Sequence, residues 1–120
     1  MGYDCIPMEI GFDCTAPIHE PTGISRGSEA YVAVSNRADS ENFGWPPESE
    51  PIQFRHFETV TQLLPKGVKI VAGVGGGPFE WLSLLMGVVG LSYALMDDPE
   101  MVSQLFEKLG RMYKNAVRQL

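Results

Sequence analysis

The chain is poor in the residues that most often announce a chemistry. It has two cysteines, Cys5 and Cys14, and two histidines, His19 and His56, among 120 residues. Two cysteines cannot make a disulfide scaffold, and no second Cys or His pair completes a zinc-site spacing. The expectation is two reduced, partly buried thiols in a cytosolic protein. His19 and Glu20 fall in a proline-rich loop and read as polar surface. His56 stands beside Arg55 in a predicted helix, and no Ser-His-Asp or Cys-His arrangement can be built from either histidine. Positive charge is also scarce: nine Lys and Arg against fifteen Asp and Glu give a formal charge of −6. That sign argues against nucleic acid as a partner, because phosphate binding needs clustered cations. Lys108, Arg111, Lys114 and Arg118 recur at the spacing of a solvated helix face near a C-terminus, where cations suit the helix dipole.

Long apolar runs are missing too. The longest uncharged run, residues 81–96, falls short of the roughly 18–20 residues that span a bilayer. Gly87 and Gly90 interrupt it, so a buried helix or helix pair is expected and no membrane partner. Asp4 follows Met1 closely, with no basic region and apolar core of a signal peptide.

What remains is ordinary globular material, 44% hydrophobic and 20% charged, at the length of one domain. Ile6, Met8 and Ile10 alternate with Cys5, Pro7, Glu9 and Gly11, which predicts a short strand. Pro7 places that strand at an edge or bulge. Residues 14–50 are punctuated by Pro17, Pro21, Gly23, Gly27, Pro46 and Pro47 and read as loop, with a candidate strand over residues 31–34. Such a long loop is often functional or lid-like. In residues 51–64, Phe57, Val60 and Leu64 fall at helical spacing, and Pro65 and Gly67 end the helix. Residues 68–74 form a β-branched run whose one charge, Lys69, sits near its start, the pattern of a strand buried on both faces of a parallel sheet. Pro78 and Glu80 suit a first helical turn, and the helix runs through Leu85 and restarts after Gly87. Asp98, Pro99 and Glu100 mark the start of a last helix. Its apolar stripe is Val102, Leu105, Phe106, Leu109, Met112, Tyr113, Ala116 and Val117. Strand, loop, helix, strand and helices in this order indicate an α/β architecture.

The turn Gly73-Val74-Gly75-Gly76-Gly77-Pro78 joins a predicted strand to a predicted helix. Glycine allows positive φ and close approach of a ligand to the backbone, and a helix start presents free N–H groups. The dinucleotide fingerprint fails because its third glycine would be Pro78, and the P-loop fails because no Gly-Lys-Ser/Thr follows. A tight turn needed only for packing is the plain alternative. Asp13 follows Gly11 and Phe12 at the end of the first predicted strand, where parallel sheets place ligand-facing groups. A carboxylate there acts as an acid or base, or accepts a substrate N–H. Its alternative is an Asx turn or a helix cap. Glu9, flanked by apolar residues, points to solvent or would need a partner.

An ordered series then emerges. It runs Gly2-Tyr3-Asp4, Gly11-Phe12-Asp13, Trp45-Pro46, Leu64-Pro65-Lys66-Gly67-Val68-Lys69-Ile70, Gly76-Gly77-Pro78-Phe79-Glu80, Gly87 and Asp97-Asp98-Pro99-Glu100. In order and spacing it resembles the uroporphyrinogen decarboxylase superfamily, which includes the methyltransferases that serve corrinoid proteins. Residues 14–50 match loosely. The resemblance implies a TIM (β/α)8 barrel, of which residues 1–120 would be a partial domain holding early strands and helices, since such a barrel takes about 250 residues. The family's first strand, with basic residues for substrate carboxylates, would precede Met1, and the other strands would follow Leu120.

The resemblance further implies Asp13 as the active-site aspartate, with Phe12, Gly75, Gly76, Gly77, Pro78 and Phe79 lining the substrate pocket. The decarboxylase carries a tyrosine after the Gly-Pro segment, but Trp81-Leu82-Ser83-Leu84-Leu85 has none. That departure favours the methyltransferase-like or an uncharacterised branch, acting on a tetrapyrrole or corrinoid-linked substrate, with this chain inactive alone. No cofactor is expected in these residues. Zinc, held by late His and Cys residues, is implied only for a methyltransferase-type parent. The partner would be a small-molecule or corrinoid-protein substrate. The competing expectation is a small standalone α/β binding or regulatory domain without catalysis, and a third is a nucleotide-binding half-domain.

Overall fold

A computed structural model describes residues 4–11, 32–49 and 55–120. The described elements are β1 (Cys5–Ile10), α1 (Arg37–Asn42), α2 (Arg55–Leu63), β2 (Lys69–Val74), α3 (Pro78–Met86), α4 (Val88–Asp97) and α5 (Pro99–Gln119). The two strands pair in parallel, in register from Cys5 opposite Lys69 to Ile10 opposite Val74. Parallel pairing requires a long crossover, and the stretch holding α1 and α2 lies between the two strands.

The barrel expectation is overturned. The described residues hold two parallel strands and five helices, too few strands for a piece of a TIM barrel. A barrel alternates strand with helix. Here α3, α4 and α5 follow β2 with no strand between them and pack on one another. The cause is local: Gly87 at φ +72 breaks one apolar run into two helices, and Asp98 with Pro99 starts a third at once.

The core is therefore helical. Leu82, Leu85 and Met86 of α3, Leu91 and Ala94 of α4, and Met101, Val102, Leu105, Leu109, Met112 and Ala116 of α5 are buried together with Val34. In the α5 stripe, Phe106 and Tyr113 are half-buried and Val117 is exposed. Asp98 caps α5 through its carboxylate, which accepts the Met101 N–H at 3.0 Å.

The sheet departs from expectation. No residue of β2 is fully buried, and Val71 is 57% exposed. A β-branched run predicts a strand but does not supply the layers that would cover it, and among the described helices only α5 packs closely on β2. Likewise α2 forms where helical spacing predicts it, yet it buries no residue fully. Residues 32–34, predicted as the end of a strand, are irregular; the N–H groups of Ala33 and Val34 both donate to the Leu85 carbonyl at the end of α3. Cys5 is exposed rather than partly buried.

Two features were not expected from the sequence. One is α1, started by Asn36, whose side chain accepts the Asp39 N–H. The other concerns the basic face of α5. Arg111 forms two hydrogen bonds with the Glu48 carboxylate, and Lys108 lies 4.7 Å over the Trp45 ring, so half of that face is engaged rather than merely solvated. Among the described residues no single helix is long and apolar enough to cross a membrane; α3 and α4 reach that length only as a pair bent by 97°.

Candidate functional site

Parallel register brings the ends of β1 and β2 to the same side of the sheet. The Gly75 N–H continues the ladder by donating to the Ile10 carbonyl at 2.7 Å. The chain then turns at Gly76, whose φ of +68° is a conformation that side chains disfavour. Gly77 caps α3, and Pro78 opens it at the position where a missing N–H costs nothing.

Three side chains fix this turn. The Trp81 indole N–H donates to the Gly75 carbonyl at 2.9 Å. Its ring lies so close to Gly11 that a Cβ there would stand 2.8 Å from Trp81 Cζ2. The Tyr113 hydroxyl, reaching from α5, donates to the Val74 carbonyl at 2.6 Å. The Glu80 carboxylate accepts the Gly77 N–H. Trp81 therefore ties the end of β1 to the turn after β2, and Tyr113 ties that turn to the helical core.

The electrostatics of the turn follow from Glu80. The start of a helix attracts anions through its unpaired N–H groups and dipole. Here a side chain of the same helix already supplies the negative charge, so a phosphate would have to displace or neighbour a carboxylate. Glu9 adds a second acid: its Oε2 lies 3.4 Å from where a Gly75 Cβ would stand. Phe79, the second residue of α3, is 59% exposed. The turn thus carries two carboxylates, which accept N–H donors and oppose an anion.

Of the residues expected to form a site, Gly75, Gly76, Gly77, Pro78 and Phe79 do sit together at the strand ends. Phe12 and Asp13 lie outside the described residues, as do Cys14, His19 and Glu20. Gly11, which directly precedes Phe12, is placed beside the turn. Sequence reasoning missed Trp81, Glu80 and Tyr113 as the turn's supports. Glu80 at the third helical position was a legible signal, because a carboxylate there reaches back to the cap N–H. Trp81 and Tyr113 carried no such signal; an aromatic in an apolar stripe looks the same whether or not its polar atom finds a distant carbonyl. Among the described residues no group of three His, Cys, Asp or Glu is placed to hold a metal ion.

No family model matches the chain, and no curated protein or solved structure is significantly similar to it.

Proposed function

We propose that the chain carries a binding site of the uroporphyrinogen decarboxylase superfamily type, on its methyltransferase-like or an uncharacterised branch, which takes a tetrapyrrole or corrinoid-linked substrate but does not turn it over alone. One observation carries the reading: the Gly76-Gly77-Pro78-Phe79-Glu80 segment, which with Asp97-Asp98-Pro99-Glu100 is the most telling pair of the motif series, sits beside Gly11, the residue that leads into Phe12 and Asp13. In this reading, Phe79 supplies a face for a flat macrocycle, and the carboxylate of Asp13 accepts pyrrole or amide N–H groups.

The test is a binding titration on the chain itself. A porphyrin whose carboxylates are capped as amides, and cobalamin, serve as probes, since neither brings the anionic groups that Glu9 and Glu80 would repel, and quenching of tryptophan fluorescence is the readout. Saturable binding of either is expected, weakened about tenfold or more in Asp13→Asn, as for loss of a hydrogen bond to a charged group. Absence of saturable binding by both probes, or equal binding by Asp13→Asn, would overturn the proposal.

A second reading, a standalone binding or regulatory domain without catalysis, is favoured by the helical core. Leu82, Leu109, Met112 and Ala116 are fully buried within described residues alone. It predicts a cooperative thermal melt, with neither probe bound.

A further inference from the structure

Residues 32–49 contain one regular element, the six-residue α1. A helix of that length has no stability of its own. The segment is instead held from outside, and most of its anchors are polar. At its start, the Ala33 and Val34 N–H groups donate to the Leu85 carbonyl. Next, the Arg37 guanidinium forms a two-pronged pair with Asp98, at 3.1 and 2.7 Å, and reaches Gln104 at 3.2 Å. At its far end, Glu48 pairs with Arg111 through two bonds of 3.0 and 3.1 Å. The Asn115 side chain donates to the Glu48 carbonyl, and the Gln119 side chain to the Ser49 carbonyl. Between these ends, Trp45 sits under the Lys108 ammonium and donates its indole N–H to the Ser40 carbonyl. The apolar anchors are few: Val34 is in the core, and Ala33, Phe43 and Trp45 pack against it.

We propose that residues 32–49 are a strap, latched across α5 at both ends by the Arg37–Asp98 and Glu48–Arg111 pairs, that opens as a unit while the helical core stays folded. Release withdraws Val34, Phe43 and Trp45 and uncovers apolar surface on the core. The latches are the weak link because their side chains are roughly a third to a half exposed, where ion pairs are screened by salt and contribute little. Val34, Phe43 and Trp45 raise the cost of opening the strap above that of a loop held by polar contacts alone, but it stays below that of α5, whose six buried residues open only with the whole molecule.

Acid acts on the same contacts. Asp98 is held below the ordinary aspartate range, first by the Met101 N–H and then by Arg37. Glu48 is held below the glutamate range chiefly by its bonds to Arg111, with Lys108 adding to the effect. Glu100 and Glu41 also face Arg37, and Glu107 faces Arg111. A carboxylate with a depressed folded pKa stabilises the closed strap above its unfolded pKa. That stabilisation disappears as pH falls through the folded value, so the latches weaken below about pH 4.

Hydrogen exchange read by mass spectrometry tests the strap. Raising salt from about 0.05 to 1 M at neutral pH, or the variant Glu48→Gln, should speed exchange of the Ala33 and Val34 amides and of α1 by about two- to tenfold. The α5 amides around Leu109 should not change. The charge-swapped pair Glu48→Arg with Arg111→Glu should restore slow exchange at low salt. The proposal is overturned if strap and α5 amides speed up together, or if neither salt nor Glu48→Gln moves the strap. The salt series on the unaltered chain decides the matter even if a variant does not fold.

Discussion

Two glycines show how single residues hold the candidate site. A Cβ at position 76 would meet the Trp81 indole nitrogen at 3.0 Å, and the backbone there has a φ of +68°. Gly76→Ala should therefore lose about 1–3 kcal/mol of stability and shift the Trp81 emission, both readable in one urea titration. At Gly11 the obstacle is steric, a Cβ 2.8 Å from Trp81, so Gly11→Ala should also move the tryptophan signal. Gly73 is the contrast: nothing lies within 4 Å of its Cβ position and its φ is not positive. Gly73→Ala should stabilise the chain by about 0.4–1 kcal/mol through the unfolded state. If all three behave alike, Trp81 does not sit where the site requires it. In the core, Leu109 is fully buried, and Leu109→Ala should cost about 2–5 kcal/mol.

At the scale of elements, breaks matter as much as helices. Gly87 joins α3 to α4 with φ 72° and ψ 154°, a conformation reserved for glycine. Gly87→Ala should cost about 1–3 kcal/mol, measured as a lower denaturant midpoint, and the helical circular dichroism signal below the transition should hardly change. This break was legible in the sequence, as were the Asp98-Pro99 start of α5 and the two strands, because each depends on a residue's own backbone preference. What was not legible depends on partners far along the chain. The run over Lys69–Val74 predicts a strand equally well whether its faces are covered or, as here, partly open. Arg111 has helix-surface spacing whether or not Glu48, 63 positions away, arrives to pair with it. The candidate turn was read from its glycines, but its supports, Trp81 and Tyr113, were hidden inside an apolar pattern that also describes plain core.

Across the whole molecule, charge and apolar surface are unevenly shared. No Lys, Arg or His occurs between Lys69 and Lys108. Within that stretch α4 buries Leu91 and Ala94 and turns Val88, Val89, Tyr93, Leu95 and Met96 outward, Met96 at 82% exposure. A helix that is apolar on its solvent side favours association, since contiguous exposed apolar patches are uncommon on monomers. The net charge of −6 opposes this by repulsion between copies, but that repulsion is screened as salt rises. The chain should therefore associate reversibly with increasing protein concentration, more strongly in salt, as seen by light scattering or sedimentation velocity. Leu95→Lys together with Met96→Lys should abolish that association while changing stability by only about 0.5 kcal/mol per site, because neither side chain is part of the core. Association that persists in the double variant would move the responsible surface elsewhere, to the exposed apolar residues of the sheet, Ile6 and Val71.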